Sequence, residues 1–82
     1  MITKKLGNLT ITFHPDVKHK EYHCESYEIL HIYDGLDEYE IVNNYLMGYR
    51  LFFKKHNGSW HDIPLKEGNF DFVPNVKIEQ HE

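Results

Sequence analysis

Apolar and polar positions alternate with a period of two along much of the chain, and the alternation is punctuated by proline, Asp-Gly and Asn-Gly. Leu9, Ile11 and Phe13 alternate with Thr10, Thr12 and His14, the pattern of a strand with one buried face. Pro15 ends it, because proline cannot donate into a ladder. Asp16 to Glu25 is polar and reads as a loop or exposed turn. Ser26 to Tyr33 reads as a second strand, with Tyr27, Ile29, His31 and Tyr33 on one face and Glu28, Leu30 and Ile32 on the other. Both faces are largely apolar, which predicts a central strand covered on one side by a helix. Asp34-Gly35 breaks it.

The next segment changes period. Leu36, Tyr39, Val42 and Leu46 fall on one helical stripe with Tyr45 beside it. Asp37 and Glu40 have the spacing of a capping box, and carboxylates in a first turn suit the helix dipole. Gly48 stands where a left-handed C-cap is expected. A helix over Glu38 to Met47 follows.

Tyr49 to Lys55 and Ser59 to Leu65 read as two strands joined at Asn57-Gly58. Asn-Gly favours the two-residue hairpin turn that needs positive φ at both central positions. That turn sets the register, pairing Lys55 with Trp60, Phe53 with Asp62 and Leu51 with Pro64. Tyr49, Leu51, Phe53 and Trp60 then share one face, Phe52 and Ile63 the other. Asn69 to Val73 reads as a further strand, Val76 and Ile78 as a short edge strand, and Glu79 to Glu82 as a frayed tail. The order β-β-α-β-β-β predicts one α+β domain over 1–82: an antiparallel sheet with one helix packed on a face.

With 82 residues the chain has room for one domain. No apolar run approaches the roughly 20 residues of a membrane helix, and Met1 to Gly7 does not lead into a secretory signal. Cys24 is the single cysteine, so no internal disulfide can form, and a reducing cytoplasm is the expected compartment. The net charge of −4 disfavours direct nucleic-acid binding through a broad basic face. Seven histidines are present, an excess best read as compositional bias.

Charge is unevenly spread. Glu25 to Gly48 contains Glu25, Glu28, Asp34, Asp37, Glu38 and Glu40 and no lysine or arginine, and all six tyrosines lie in or beside it. Tyrosine offers rigid contact area at low entropic cost, and carboxylates among tyrosines suit a basic partner. The partner-binding set read from this is Glu28, Tyr33, Asp34, Asp37, Glu38, Tyr39, Glu40 and Tyr45. The ordinary alternative is that the tyrosines fill the core and the acids solvate a helix.

Other chemistry has thinner support. His19, His23 and Cys24 could supply part of a metal site, but no fourth ligand is nominated, so neither metal nor cofactor is expected. Arg50, Lys54, Lys55, His56 and His61 could serve a small ribonuclease or toxin-like enzyme, yet lysines on an edge strand are also ordinary protection against aggregation. No nucleophile elbow, zinc-protease motif or phosphate loop is present. The expectation is a non-enzymatic module that inhibits or regulates a larger protein with a basic surface, itself a candidate nucleic-acid-binding protein. Immunity proteins, antitoxins and phage or mobile-element antagonists share this size and charge. A homodimer fits the aromatic content equally.

Overall fold

A computed structural model describes residues 1–66 and 68–81. Eight strands carry the fold: β1 (Ile2–Leu6), β2 (Leu9–Phe13), β3 (Lys18–His23), β4 (Tyr27–Tyr33), β5 (Glu38–Asn44), β6 (Tyr49–His56), β7 (Ser59–Asp62) and β8 (Val76–Gln80). They form a three-stranded sheet in the order β1-β2-β8 and a five-stranded meander in the order β3-β4-β5-β6-β7. Every pairing is antiparallel.

The expected α+β architecture is therefore corrected: the domain is all-β, and no helix occurs among the described residues. The segment expected to be helical is β5, followed by a turn. Tyr39 and Ile41 alternate inward at 2% and 0% exposure, while Leu36 and Leu46, the ends of the helical stripe, stand 89% and 80% exposed. The same residues satisfied both periods, and pairing decided between them. β5 is bonded to β4 on one side and β6 on the other, with Ile41 opposite Leu30 and Phe52. Ile41, Val42, Asn43 and Asn44 are also indifferent helix formers.

The apparent helix caps have other partners. Asp34 Oδ1 accepts the amides of Leu36 (2.9 Å) and Asp37 (2.8 Å), and Asp37 reaches Lys54 Nζ at 3.5 Å. Gly48 does adopt a left-handed φ of +69°, but in the β5–β6 turn.

Three further expectations change. Lys18 to His23, read as loop, is an edge strand held by its ladder to β4; its polar sequence gave no burial pattern. Asn69 to Val73 is irregular, although Val73 is buried and Phe70 and Phe72 pack on Phe52. Glu79 and Gln80, read as a frayed tail, pair with Thr10 and Leu9; Glu82 lies outside the described residues. The hairpin register agrees with its derivation, with Lys55 opposite Trp60 and Phe53 opposite Asp62. Asn57 and Gly58 have φ of 52° and 78°. The pairing of Leu51 with Pro64 does not form, because β7 ends at Asp62.

One core is shared by the two sheets. Leu6, Leu9, Ile11, Phe13, Val76 and Ile78 from the small sheet meet Leu30, Ile32, Tyr39, Ile41 and Phe52 from the large one. The chain from Ile63 to Val73, crossing between the sheets, adds Ile63, Leu65, Phe70, Phe72 and Val73. At one end, the β1–β2 turn comes close to β5: a Cβ on Gly7, which has φ +61°, would sit 3.0 Å from Asn43 Nδ2.

Candidate functional site: an uncovered sheet face

Alternation divides the five-stranded sheet into two faces. The inner face meets the small sheet. The outer face presents Lys18, Lys20 and Tyr22 from β3, Tyr27, Ile29, His31 and Tyr33 from β4, and Glu38, Glu40, Val42 and Asn44 from β5. To these β6 adds Tyr49, Leu51, Phe53 and Lys55, and β7 adds Trp60 and Asp62. None of these side chains is fully buried. Register sorts them into rows across the strands. Tyr22, Ile29, Val42 and Leu51 make an apolar row, and Tyr27, Asn44 and Tyr49 flank it. On the other side run Lys20, His31, Glu40, Phe53 and Asp62, then Lys18, Tyr33, Glu38, Lys55 and Trp60.

The face is half organised already. Glu38 lies 3.1 Å from Lys55 Nζ and 3.3 Å from His31 Nε2. Hydrogen bonding to the Lys55 ammonium, above all, holds the Glu38 carboxyl below its ordinary pKa; burial works in the opposite direction, and Lys55 and His31 charges add to the lowering. Lys55 also lies over the Trp60 ring, whose edge meets His31. By contrast Lys18, Lys20, Glu40 and Asp62 have no ion-pair partner among the described residues. The face thus has a cationic margin on β3 and uncompensated carboxylates toward β5 and β7.

The eight residues drawn from the acidic, tyrosine-rich segment are not brought together as one surface. Tyr39 belongs to the core, and burial first, then Asp34 and Asp37, raise its hydroxyl above its ordinary pKa. Glu28 is buried on the inner face, accepting a hydrogen bond from Asn43 Nδ2 at 3.0 Å with His23 Nδ1 at 3.5 Å. Asp34 holds the β4–β5 turn. Asp37 is matched by Lys54 and Glu38 by Lys55, so the hairpin returns the positive charge that the acidic segment lacks. Tyr45 is half exposed in the β5–β6 turn, its hydroxyl pKa raised by partial desolvation and then by the Glu28 carboxylate. Only Tyr33, Glu38 and Glu40 lie on the outer face.

The residues missed are the apolar ones: Tyr22, Ile29, Val42, Leu51 and Trp60. A signal for part of this set existed, since the hairpin register had already put Tyr49, Leu51, Phe53 and Trp60 together. The predicted helix was expected to cover one face of the sheet, and its absence leaves this one bare.

The alternative sites are also separated. His19 stacks on Phe13 (4.3 Å between ring centroids), His23 faces Glu28, and Cys24 is exposed beyond the strand. Four residues along a strand span about 13 Å, too far for His19 and His23 to share a metal ion. No group of three potential ligands is assembled among the described residues. His56 and His61 do approach, with centroids 6.1 Å apart, but both are exposed and Lys54 is engaged by Asp37. No helix among the described residues is long and apolar enough to cross a membrane. The chain matches no family model, no curated protein and no solved structure.

Proposed function

We propose that this chain is a non-enzymatic binding module that regulates or inhibits a larger protein through the outer face of its five-stranded sheet. One observation carries the reading: a continuous apolar row, Tyr22–Ile29–Val42–Leu51, crosses four strands with no layer over it among the described residues. Antiparallel sheets ordinarily present polar residues to solvent on their open side. Contiguous apolar surface rimmed by polar groups is instead characteristic of interaction sites. Tyr22, Tyr49 and Trp60 on this face are of the types that dominate interface energetics.

The unmatched charges support a partner of complementary chemistry. It presents an apolar patch to the central row, carboxylates opposite Lys18 and Lys20, and basic groups opposite Glu40 and Asp62. The basic partner surface anticipated from composition is thereby narrowed to two positions, because Asp37 and Glu38 already have lysine partners. The exposed thiol of Cys24 suits a reducing cytoplasm.

The test uses the full chain as bait in paired captures, wild type against Val42→Lys/Leu51→Lys, with Lys77→Glu on β8 as a control. A captured protein supports the reading when, purified, it binds wild type and the control alike and the double variant at least about tenfold more weakly, a difference of about 1.4 kcal/mol. Its footprint by hydrogen exchange must fall on β4 to β6. A partner that binds the double variant normally overturns the reading, as does a wild-type homodimer by sedimentation that buries this face.

A further inference from the structure

The Asn57-Gly58 turn carries chemistry beyond its role in fixing register. Asn57 is the one asparagine in the chain followed by glycine. An asparagine side-chain amide is an electrophile within reach of the next residue's backbone nitrogen, and reaction between them closes a five-membered imide. The side chain of the following residue is the main obstacle, and glycine has none. Both partners are uncovered here. Asn57 and Gly58 are exposed, and nothing lies within 4 Å of the position that a Cβ on Gly58 would take. Among the described residues the Gly58 amide donates no hydrogen bond, and the Asn57 side chain makes none.

Asn75 is the internal comparison. It too is exposed and left-handed, with φ +62° against +52° at Asn57. But the next residue, Val76, is β-branched and buried, and its amide is bonded to Val73 O at 3.3 Å. The side chains of Asn43, Asn44 and Asn69 are engaged in hydrogen bonds.

The fold gates the reaction. A closed two-residue turn holds Asn57 in its left-handed conformation, and ring closure requires Asn57 to swing out of it. The hairpin opens cheaply, since β7 lies at the sheet edge, pairs with β6 alone, and is exposed at all four of its residues. Segments with few buried contacts open locally at well below the cost of global unfolding.

We propose that Asn57 is a self-modification site: the Gly58 nitrogen closes on its side-chain amide when the β6–β7 hairpin opens, and the isoaspartyl product keeps the hairpin from closing again. The Gly58 nitrogen gives up its proton and bonds to Asn57 Cγ; the Cγ–Nδ2 bond breaks and Nδ2 leaves as ammonia. Water then cleaves the imide at one of its two carbonyls. Cleavage at the side-chain carbonyl leaves aspartate, and cleavage at the backbone carbonyl reroutes the chain through Cβ. Water is the sole co-reactant, and nothing is oxidised or reduced. The rerouted product has one more backbone carbon in a loop whose length sets the register. Trp60 then loses its place opposite Lys55 on the outer face. The modification stands independently of the proposed regulatory role.

The experiment incubates the full chain at mildly alkaline pH, folded and in denaturant, and follows it by peptide mapping. The folded chain should gain about one dalton at Asn57, more slowly than the denatured chain, with isoaspartate in the product and Asn75 unchanged. Trp60→Ala, which removes a contact across the hairpin, should speed the gain about two- to fivefold, the scale of one lost cross-strand pair. In the separated isoaspartyl product, the amides of Ser59 to Asp62 should lose their protection from hydrogen exchange. The proposal is overturned if the folded chain gains no mass at Asn57 while the denatured chain converts, or if Asn75 converts as fast. It is overturned too if Trp60→Ala reacts at the wild-type rate, or if the isoaspartyl product keeps its β7 protection. The wild-type measurements decide the matter even if the Trp60 variant fails to fold.

Discussion

The two faces of the five-stranded sheet are built from nearly the same kinds of residue and have opposite fates. Inside, Leu30, Ile32, Tyr39, Ile41 and Phe52 are sealed by the small sheet and by the crossing segment. Outside, Ile29, Val42, Leu51, Phe53 and the flanking aromatics remain at least partly open to solvent. Hydrophobicity of a strand face therefore does not say whether the protein's own chain covers it. Coverage here depends on which segments pack against each face. Three strands and one crossing segment cover one face, and none of the described residues forms a layer over the other.

The sharpest way to break the comparison is to make matched truncations on the two faces of β5. Ile41→Ala, at a site with no solvent exposure, should cost about 2–5 kcal/mol, as large-to-small changes in packed cores do. Chemical denaturation would measure it. If the loss were below about 1 kcal/mol, the inner face would not be the packed one. Next in size is Gly58→Val in the β6–β7 turn. A β-branched residue held at φ +78° should cost on the order of 1–3 kcal/mol. Unchanged thermal stability would mean that the turn, and with it the pairing of Trp60 to Lys55, is wrong.

Val42→Ala, one residue from Ile41 but facing outward, should cost less than about 1 kcal/mol, because half-exposed side chains lose little burial on truncation. A loss as large as that of Ile41→Ala would reveal an unseen layer over the outer face. The smallest effect concerns pH. Glu38 has its folded-state pKa depressed, chiefly by Lys55. Its contribution is fully present above the ordinary carboxylate pKa of about 4.3 and is lost as pH falls through the lower folded value. Glu38→Gln should therefore flatten the decline of Tm with acidification below about pH 5, and Lys55→Gln should do the same. Parallel acid limbs in wild type and Glu38→Gln would show that the pair does not form in solution.

Local chemistry carried some features unaided. The Asn57-Gly58 hairpin and its register were legible because a two-residue turn leaves no freedom in the pairing that follows. The strand at Leu9–Phe13 was legible from alternation, as was most of β4. A left-handed residue at Gly48 was correctly anticipated, though as a helix cap. Tertiary pairing decided the rest. Tyr39 and Val42 fit a helical stripe and a strand equally well, and only the ladders from β4 and β6 select the strand. β3 has little burial pattern to read: it pairs with β4 along its whole length, and His19, stacked on Phe13, is its one side chain that is not exposed. The acidic segment looked unbalanced along the chain, but Lys54 and Lys55 are neighbours of Asp37 and Glu38 in space, not in sequence. Turn geometry and alternation act over a few residues, so they are written locally. Which sheet covers which face, and which charges meet, depends on contacts between distant segments, and those exist only once the chain has folded.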